Sequence, residues 1–309
     1  MKHSIFVAAI SILAAGSALA QSSVTIYGRL NVTVEDQSIA GVKTKVMNNN
    51  ASRLGFTGVE DLGGGLKATF LLEHRFAVDT GATSAADFYA GDAVLGLSGG
   101  FGTIRLGRIT SEAYYATGDY IGMLNHDTGT SADALYAYLG DNKNTIAYNV
   151  GLGALSLYAS TSAGEGRPGV DRVIDLAARY DLGALKFGFG YQDQGEASQY
   201  AVRVSYEMGA ATVGAYVQRD ENVYGSGNRT NFRLTGMYVI GAGELHASYG
   251  QADDYSNTND SAANQITLGY NYNLSKRTKV YGYVNRISAD NNSYLDDSRN
   301  IALGVRHNF

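Results

Sequence analysis

The residues that could carry acid–base, nucleophilic or metal chemistry are few and scattered in this 309-residue chain. Cysteine is absent, so neither a disulfide framework nor a thiolate metal site can form. The histidines lack the His-x-x-x-His spacing that places two imidazoles on one helix face; they are His3, His74, His126, His246 and His307. The sequence therefore predicts no enzyme, no bound metal and no cofactor.

Adjacent carboxylates occur three times, each in sequence typical of a turn or loop: Glu60-Asp61, Asp253-Asp254 and Asp296-Asp297. Solvation of a loop is the simpler interpretation of such pairs. A loop calcium site built from Asp253, Asp254 and Asp260 remains an alternative, because Ca²⁺ prefers carboxylate oxygens.

The N-terminal segment has the features of a secretory signal. Lys2 provides a basic start, an apolar stretch runs from Ile5 to Leu13, and the segment closes on Ala18-Leu19-Ala20. A membrane-spanning helix would need about 20 apolar residues, which this stretch lacks. We expect residues 1–20 to be removed and residues 21–309 to form one domain outside the cytoplasm.

The composition excludes some partners and favours long strands. The formal net charge is −5, and it becomes −6 once Lys2 leaves with the signal. That acidity argues against nucleic acid as a partner, because binding to phosphates requires a basic face. The chain has 39 glycines, 23 tyrosines and one proline, a composition typical of twisted strands joined by turns.

Apolar residues recur at every second position in segments distributed along the chain. From Val24 to Val34 the even positions are apolar or glycine, whereas the odd ones include Arg29 and Asn31. Similar alternation occurs over residues 66–76, 232–240, 266–272 and 301–309. Period two with one apolar face is the pattern of strands that expose alternate side chains to lipid and to a wet lumen.

The connections between these segments alternate between short glycine-bearing turns and longer polar stretches such as Gln37–Asn49, Ala77–Gly91 and Ala252–Ala262. Outer-membrane barrels have short periplasmic turns and longer extracellular loops. Pairing the hairpins in this way predicts an all-β fold, a transmembrane antiparallel β-barrel of about sixteen strands. A barrel of that size leaves an aqueous lumen. A soluble all-β protein is the remaining alternative.

One connection, residues 109–143, is much longer than a plain loop in a compact domain. It contains the acidic residues Glu112, Asp119 and Asp127 among several tyrosines. It could be a solvated surface loop, or it could fold into the barrel and narrow it. We favour the second interpretation, because an unplugged lumen needs a constriction to be selective.

Because side chains alternate between the two faces of a strand, the position of each residue predicts which face it is on. This alternation, which we call strand parity, places more basic than acidic side chains on the inner wall. On the early strands the inward basic residues are Arg29, Arg53, Lys67, Arg75 and Arg105. We predict that these residues face the acidic loop across the lumen. Since charge at close quarters biases which ions pass, this arrangement favours a modest anion preference.

Five segments resemble the trimeric porins of β-proteobacteria such as Burkholderia, Bordetella and Neisseria: Val24–Leu30, Ser52–Ala68, Gly102–Arg108, Leu274–Tyr281 and Gly304–Phe309. The resemblance implies a sixteen-stranded homotrimer whose third extracellular loop constricts each pore, with basic wall residues facing loop acids. It also implies that Phe309 is read by the barrel-assembly machinery. The expected surroundings are outer-membrane lipid and lipopolysaccharide.

The sequence thus predicts an outer-membrane channel for passive diffusion of small hydrophilic solutes and ions. A substrate-specific channel on the same barrel is the alternative that the residues leave open, because the 109–143 loop is rich in tyrosine. Single-channel block by candidate solutes would distinguish the two.

Overall fold

The computed structural model describes residues 22–121, 133–137, 139, 142–165 and 171–309. Within these residues there are seventeen strand segments, and each pairs antiparallel with its neighbours. In chain order they are β1 Ser23–Ile39, β2 Val42–Asn49, β3 Arg53–Gly63, β4 Leu66–Arg75, β5 Ala93–Gly99, β6 Gly102–Ile109, β7 Asn142–Leu152, β8 Leu155–Ser162, β9 Val173–Leu182, β10 Leu185–Gln194, β11 Ala197–Met208, β12 Ala211–Glu221, β13 Arg229–Ile240, β14 Gly243–Ala252, β15 Ala263–Asn273, β16 Thr278–Ala289 and β17 Ser298–Asn308.

The described segments form a closed barrel of sixteen wall strands, as the sequence predicts. β2 and β3 are two parts of one wall strand. The C-terminal part of β1 pairs with β2, and its N-terminal part pairs with β3. Closure is made by β1 and β17, from Arg29 opposite Asn308 to Ile39 opposite Ser298. A closed ring leaves no unpaired strand edge, which lipid would not tolerate.

Side chains alternate between the two faces of the wall as the period-two pattern predicts. On β1, Val24 and Val34 are 66% and 59% exposed, whereas the intervening Asn31 and Thr33 are at most 1% exposed. The outer face is therefore apolar and the inner face polar. This parity assigns every described wall residue to lipid or lumen.

The described helices are short and lie between β6 and β7: α1 spans Glu112–Ala116 and α2 spans Gly118–Ile121. A single 3-10 turn, Val223–Gly225, follows β12 in the described chain. No helix among the described residues is long and apolar enough to cross a membrane.

One predicted connection differs from the structure. The segment Gln37–Asn49 is not a loop, because β1 continues to Ile39 and β2 begins at Val42. The turn consists of Ala40 and Gly41, both at positive φ. The segment resembles a loop in sequence because polar residues such as Lys43 and Lys45 occupy its outward positions.

The C-terminus is built into the wall. The backbone N–H of Phe309 donates to the carbonyl of Gly28 (3.1 Å), and the Gly28 N–H donates to the Phe309 carbonyl (3.0 Å). A Cβ at position 28 would overlap the Phe309 ring, so only glycine leaves room for it. Phe309 thus completes the seam between the first and last strands.

Deleting Phe309 is expected to lower the amount of folded, heat-modifiable protein in the outer membrane severalfold. The deletion removes two backbone hydrogen bonds at the seam and leaves the N–H and C=O groups of Gly28 without these partners at the edge of the wall. Immunoblots of outer-membrane fractions with unheated samples measure this. Wild-type amounts of folded protein from the truncated chain would contradict the assignment.

Candidate pore constriction

The connection between β6 and β7 enters the barrel through a capped helix. The Ser111 hydroxyl oxygen accepts from the Tyr114 N–H (3.0 Å), and this side chain is the N-cap of α1. The buried Asp175 carboxylate, on the inner face of β9, accepts from the backbone N–H groups of Glu112 (3.1 Å) and Ala113 (2.9 Å). The first turn of α1 is therefore anchored to the inner wall, on the far side of the ring from β1.

Glycines on β10 form the surface on which α1 lies. A Cβ at Gly188 would overlap the carbonyl oxygen of Ala116, and one at Gly190 would lie 2.7 Å from the carbonyl oxygen of Ala113. The buried Arg203 on β11 donates from Nε to the Ala116 carbonyl (3.0 Å). Such direct backbone contact shows that α1 packs against the wall inside the lumen.

Gly188→Val is expected to lower single-channel conductance by tens of per cent. The new side chain would occupy the space of the Ala116 carbonyl, and α1 can yield only toward the lumen. Gly236→Val, on the outward face of β13, is the control for placing valine in a wall strand, because no atom lies within 4 Å of a Cβ there. Equal conductance of the two variants, both folded, would show that α1 does not border the conducting path.

Residues 133–137, the returning segment of the same connection, also dock inside the barrel. Asp133 accepts from Arg233 Nη2 (2.6 Å) on β13 and from the Tyr216 hydroxyl on β12. The Ala134 N–H donates to Gln265 Oε1 (2.9 Å), and the Leu135 carbonyl accepts from Arg229 Nη2 (3.0 Å). These contacts extend the attachment from β9–β11 to β12–β15.

Arg229 is fully buried and lies beside two aromatic rings. Its guanidinium lies 4.6 Å from the Tyr255 ring centroid and 5.2 Å from that of Tyr294, and it forms an ion pair with Asp220 (3.3 Å). Tyr294 also donates its hydroxyl to the Ala134 carbonyl (2.8 Å). Two extracellular connections thus hold the returning segment in place.

Three of the predicted basic wall residues form one row. Arg29 on β1 lies opposite Arg53 on β3, and Arg53 lies opposite Arg75 on β4. Glu73 borders the row, with its carboxylate 3.9 Å from Arg53 and 3.1 Å from Arg75. The row thus brings three guanidinium groups and one carboxylate together on the inner wall.

This row and the docked connection lie on opposite halves of the ring. β1, β3 and β4 belong to the first three of the sixteen wall strands, whereas α1 and α2 contact β9 to β13, the eighth to twelfth. Half of a sixteen-stranded ring is eight strands, so the row faces the connection across the lumen. Asp119, half-buried on α2, lies on that opposite side.

The other predicted residues lie elsewhere. Arg105 on β6 forms an ion pair with Glu112, so these two charges neutralise each other on one side of the lumen. Lys67 is exposed next to the β3–β4 turn, at the end with short connections. Asp127 lies outside the described residues.

Several residues that hold the connection are not among the predicted site residues: Asp133, Asp175, Arg203, Tyr216, Arg229 and Arg233. Strand parity alone identifies most of those residues that lie on wall strands as inward. What parity does not reveal is which segment of the chain comes to lie against them.

Asp87, in the connection between β4 and β5, joins both ends of the 109–143 segment. Its carboxylate lies 2.7 Å from Lys143 Nζ and 2.7 Å from Arg108 Nη1. The hydrogen bond from Lys143 has the larger effect on the pKa of Asp87 and that from Arg108 the smaller; both lower it, because both favour the charged carboxylate. The Asp87 carboxylate is therefore charged at neutral pH, and its two ion pairs would weaken only in acid, when that carboxylate is protonated.

The three-carboxylate calcium site is not formed by the described residues, in which no group of three or more His, Cys, Asp or Glu side chains is arranged to hold a metal ion. Asp254 instead accepts from the backbone N–H groups of Ser261 (2.6 Å) and Ala262 (2.8 Å). These bonds shape the β14–β15 connection.

A closed barrel with an apolar outside, a polar lumen and a connection folded inward defines the class of outer-membrane channels. The chain belongs to the Gram-negative porin family, whose model matches residues 7–292. It forms a passive channel in the outer membrane.

Named porins match this chain over nearly its whole length. The chain is 34% identical to outer membrane porin protein 32 of Delftia acidovorans, over 91% of this chain and 88% of that protein. It is 27% identical to an outer membrane porin protein of Bordetella pertussis, with full coverage of both chains. Among solved structures, an anion-selective porin from Comamonas acidovorans is similar at a TM-score of 0.80 and 28% identity, covering 94% of this chain and all of that one.

Proposed function

We propose that this chain is a general diffusion porin with a modest anion preference, constricted between the Arg29–Arg53–Arg75 row and the docked 109–143 connection. The observation that carries the proposal is the position of the row, half a ring away from that connection. The acidic side of the proposed constriction consists of Asp119 and, from the sequence, Asp127; Glu112 is already paired with Arg105. The name of the anion-selective porin from Comamonas acidovorans supports the preference.

The proposal extends to the state and surroundings of the protein. We infer a homotrimer in which each chain consists of residues 21–309 after removal of residues 1–20. The barrel-assembly machinery inserts it, and outer-membrane lipid and lipopolysaccharide surround it. The family resemblance supports the trimer and the machinery. No catalytic role is proposed, because the family and the named relatives are porins.

The proposed maturation is tested by intact mass spectrometry of protein extracted from outer membranes. The expected mass is that of residues 21–309, since the Ala18-Leu19-Ala20 boundary fits a signal cleavage site. A mass that includes residues 1–20 would contradict it.

General diffusion is separated from substrate-specific transport by single-channel recording. A general porin conducts in proportion to bulk salt concentration, and no solute blocks it at low concentration. Recordings with added sugars, amino acids and carboxylates should show ohmic current without discrete closures. Saturable block by one solute class would favour a substrate-specific channel.

A further inference from the structure

Three connections at the outer end of the barrel are joined to one another by backbone hydrogen bonds. They are residues 222–228 between β12 and β13, residues 253–262 between β14 and β15, and residues 290–297 between β16 and β17. The Ser256 N–H donates to the Asn228 carbonyl (2.9 Å), and the Asn292 N–H donates to the Asp260 carbonyl (2.7 Å). We call these three connections the outer cap, because their hydrogen bonds make them one unit.

The outer cap meets the returning segment, residues 133–137, at one buried arginine. Arg229 begins β13 and directly follows the first connection of the outer cap. Its guanidinium lies 4.6 Å from the ring centroid of Tyr255 and 5.2 Å from that of Tyr294, and these two residues belong to the other two connections. Each connection of the outer cap therefore adjoins or contacts the same side chain.

Arg229 and Tyr294 hold two successive carbonyl groups of the returning segment. The Tyr294 hydroxyl donates to the Ala134 carbonyl (2.8 Å), and Arg229 Nη2 donates to the Leu135 carbonyl (3.0 Å). The Leu135 side chain is buried in a small apolar cluster against which Leu295 of the outer cap packs. The position of residues 134 and 135 thus depends on the outer cap as well as on the wall.

A buried ion pair fixes the Arg229 side chain. Its Nη2 lies 3.3 Å from the Asp220 carboxylate on β12, and both side chains are fully buried. Taking two charges out of water costs free energy that such a pair recovers only in part, so it contributes little to stability. A planar guanidinium can pair with a carboxylate, stack on aromatic rings and donate to a carbonyl at the same time. The pair is therefore best explained by the single arrangement that it specifies around residues 134 and 135.

We propose that Arg229 is a positioning residue for the constriction. It couples the outer cap to residues 134 and 135, and so determines how far the returning segment extends into the lumen. A change in the outer cap then alters ion flow while the wall itself stays the same. This inference rests on the constriction proposed above and identifies what holds it at a fixed width.

Single-channel recording of full-length Tyr294→Phe and Arg229→Gln in planar bilayers tests this role. Tyr294→Phe keeps the ring and loses one hydroxyl. The fraction of open time spent at partial conductance levels should rise about fivefold, which is the effect of losing one ordinary hydrogen bond. Arg229→Gln should give a larger rise. Arg229→Lys should reverse part of it, because lysine keeps a positive charge beside Asp220.

Tyr249→Phe and Arg219→Gln are the matched controls, because strand parity places both side chains on the outer face of the wall. The Tyr249 hydroxyl donates to Gln251 (3.3 Å), and Arg219 Nη1 donates to Thr230 (3.0 Å). Both control variants should conduct as the wild type does.

Asn292→Ala tests the coupling from outside the pore. The Asn292 side-chain amide donates to the Asn259 carbonyl (2.8 Å) and joins two connections of the outer cap. Its loss should raise the time at partial conductance levels about twofold. Wild-type behaviour of Asn292→Ala beside a clear effect of Tyr294→Phe would overturn the role of the outer cap.

Other outcomes would overturn the role of Arg229. One is wild-type recordings from folded Tyr294→Phe and Arg229→Gln, and another is an equal rise in the two controls. Loss of the folded barrel in Arg229→Gln, together with wild-type recordings from Tyr294→Phe, would leave Arg229 a structural role only. Replacing residues 112–137 with a linker distinguishes this inference from the proposed function. If that replacement raises conductance while the Arg229 and Tyr294 variants behave as the wild type, the constriction stands and the coupling fails.

Discussion

Replacing residues 112–137 with a short glycine-serine linker is expected to raise single-channel conductance about twofold. That stretch contains α1, α2 and the docked returning segment, all of which occupy lumen beside β9–β15. Its removal leaves the sixteen wall strands and their closure intact, because none of the ladder pairs involves it. Planar-bilayer recording in molar salt measures the effect.

As a control for this replacement, the folding of the variant is compared with that of the wild type. The variant should remain heat-modifiable on gels and should keep its strand content by circular dichroism. An intact barrel with wild-type conductance would place the connection outside the conducting path and remove the proposed constriction.

The second large effect concerns the basic row. The triple variant Arg29→Gln/Arg53→Gln/Arg75→Gln should reduce the chloride-to-potassium permeability ratio about threefold at low ionic strength, where screening is weak. Glu73 adds to the shift, since its carboxylate loses partners at 3.9 Å and 3.1 Å. The measured quantity is the reversal potential under a salt gradient.

Lys67→Gln is the matched control on the same wall. Its side chain is exposed beside the β3–β4 turn, so we expect a much smaller shift from the loss of one charge there. Asp119→Asn with Asp127→Asn should move the reversal potential in the opposite direction to the triple variant. Equal shifts from Lys67→Gln and the triple variant would mean that the row does not line the narrowest part.

The wall could be predicted from sequence because each strand carries its own signal. The alternation from Val24 to Val34 assigns Asn31 and Thr33 to the lumen without knowledge of any neighbour, and both are buried there. The same signal fails above the membrane, where both faces are wet. Residues 37–49 therefore look like a loop although they form a hairpin.

The docking of the 109–143 connection could not be derived in the same way. Asp133 and Arg233 are 100 residues apart in sequence, and only the closed ring brings them into contact. The alignment of Arg29, Arg53 and Arg75 likewise depends on register, since a slip of one residue would turn an arginine toward lipid. Parity identified the candidates, and topology decided which of them face the connection.

Ions are proposed to pass a constriction whose net field is positive. The most direct test is the reversal potential of the wild-type channel in a planar bilayer with a tenfold gradient of dilute potassium chloride. We expect a potential with the sign that results when chloride passes more readily than potassium. A zero potential, or the sign of a cation preference, would contradict it.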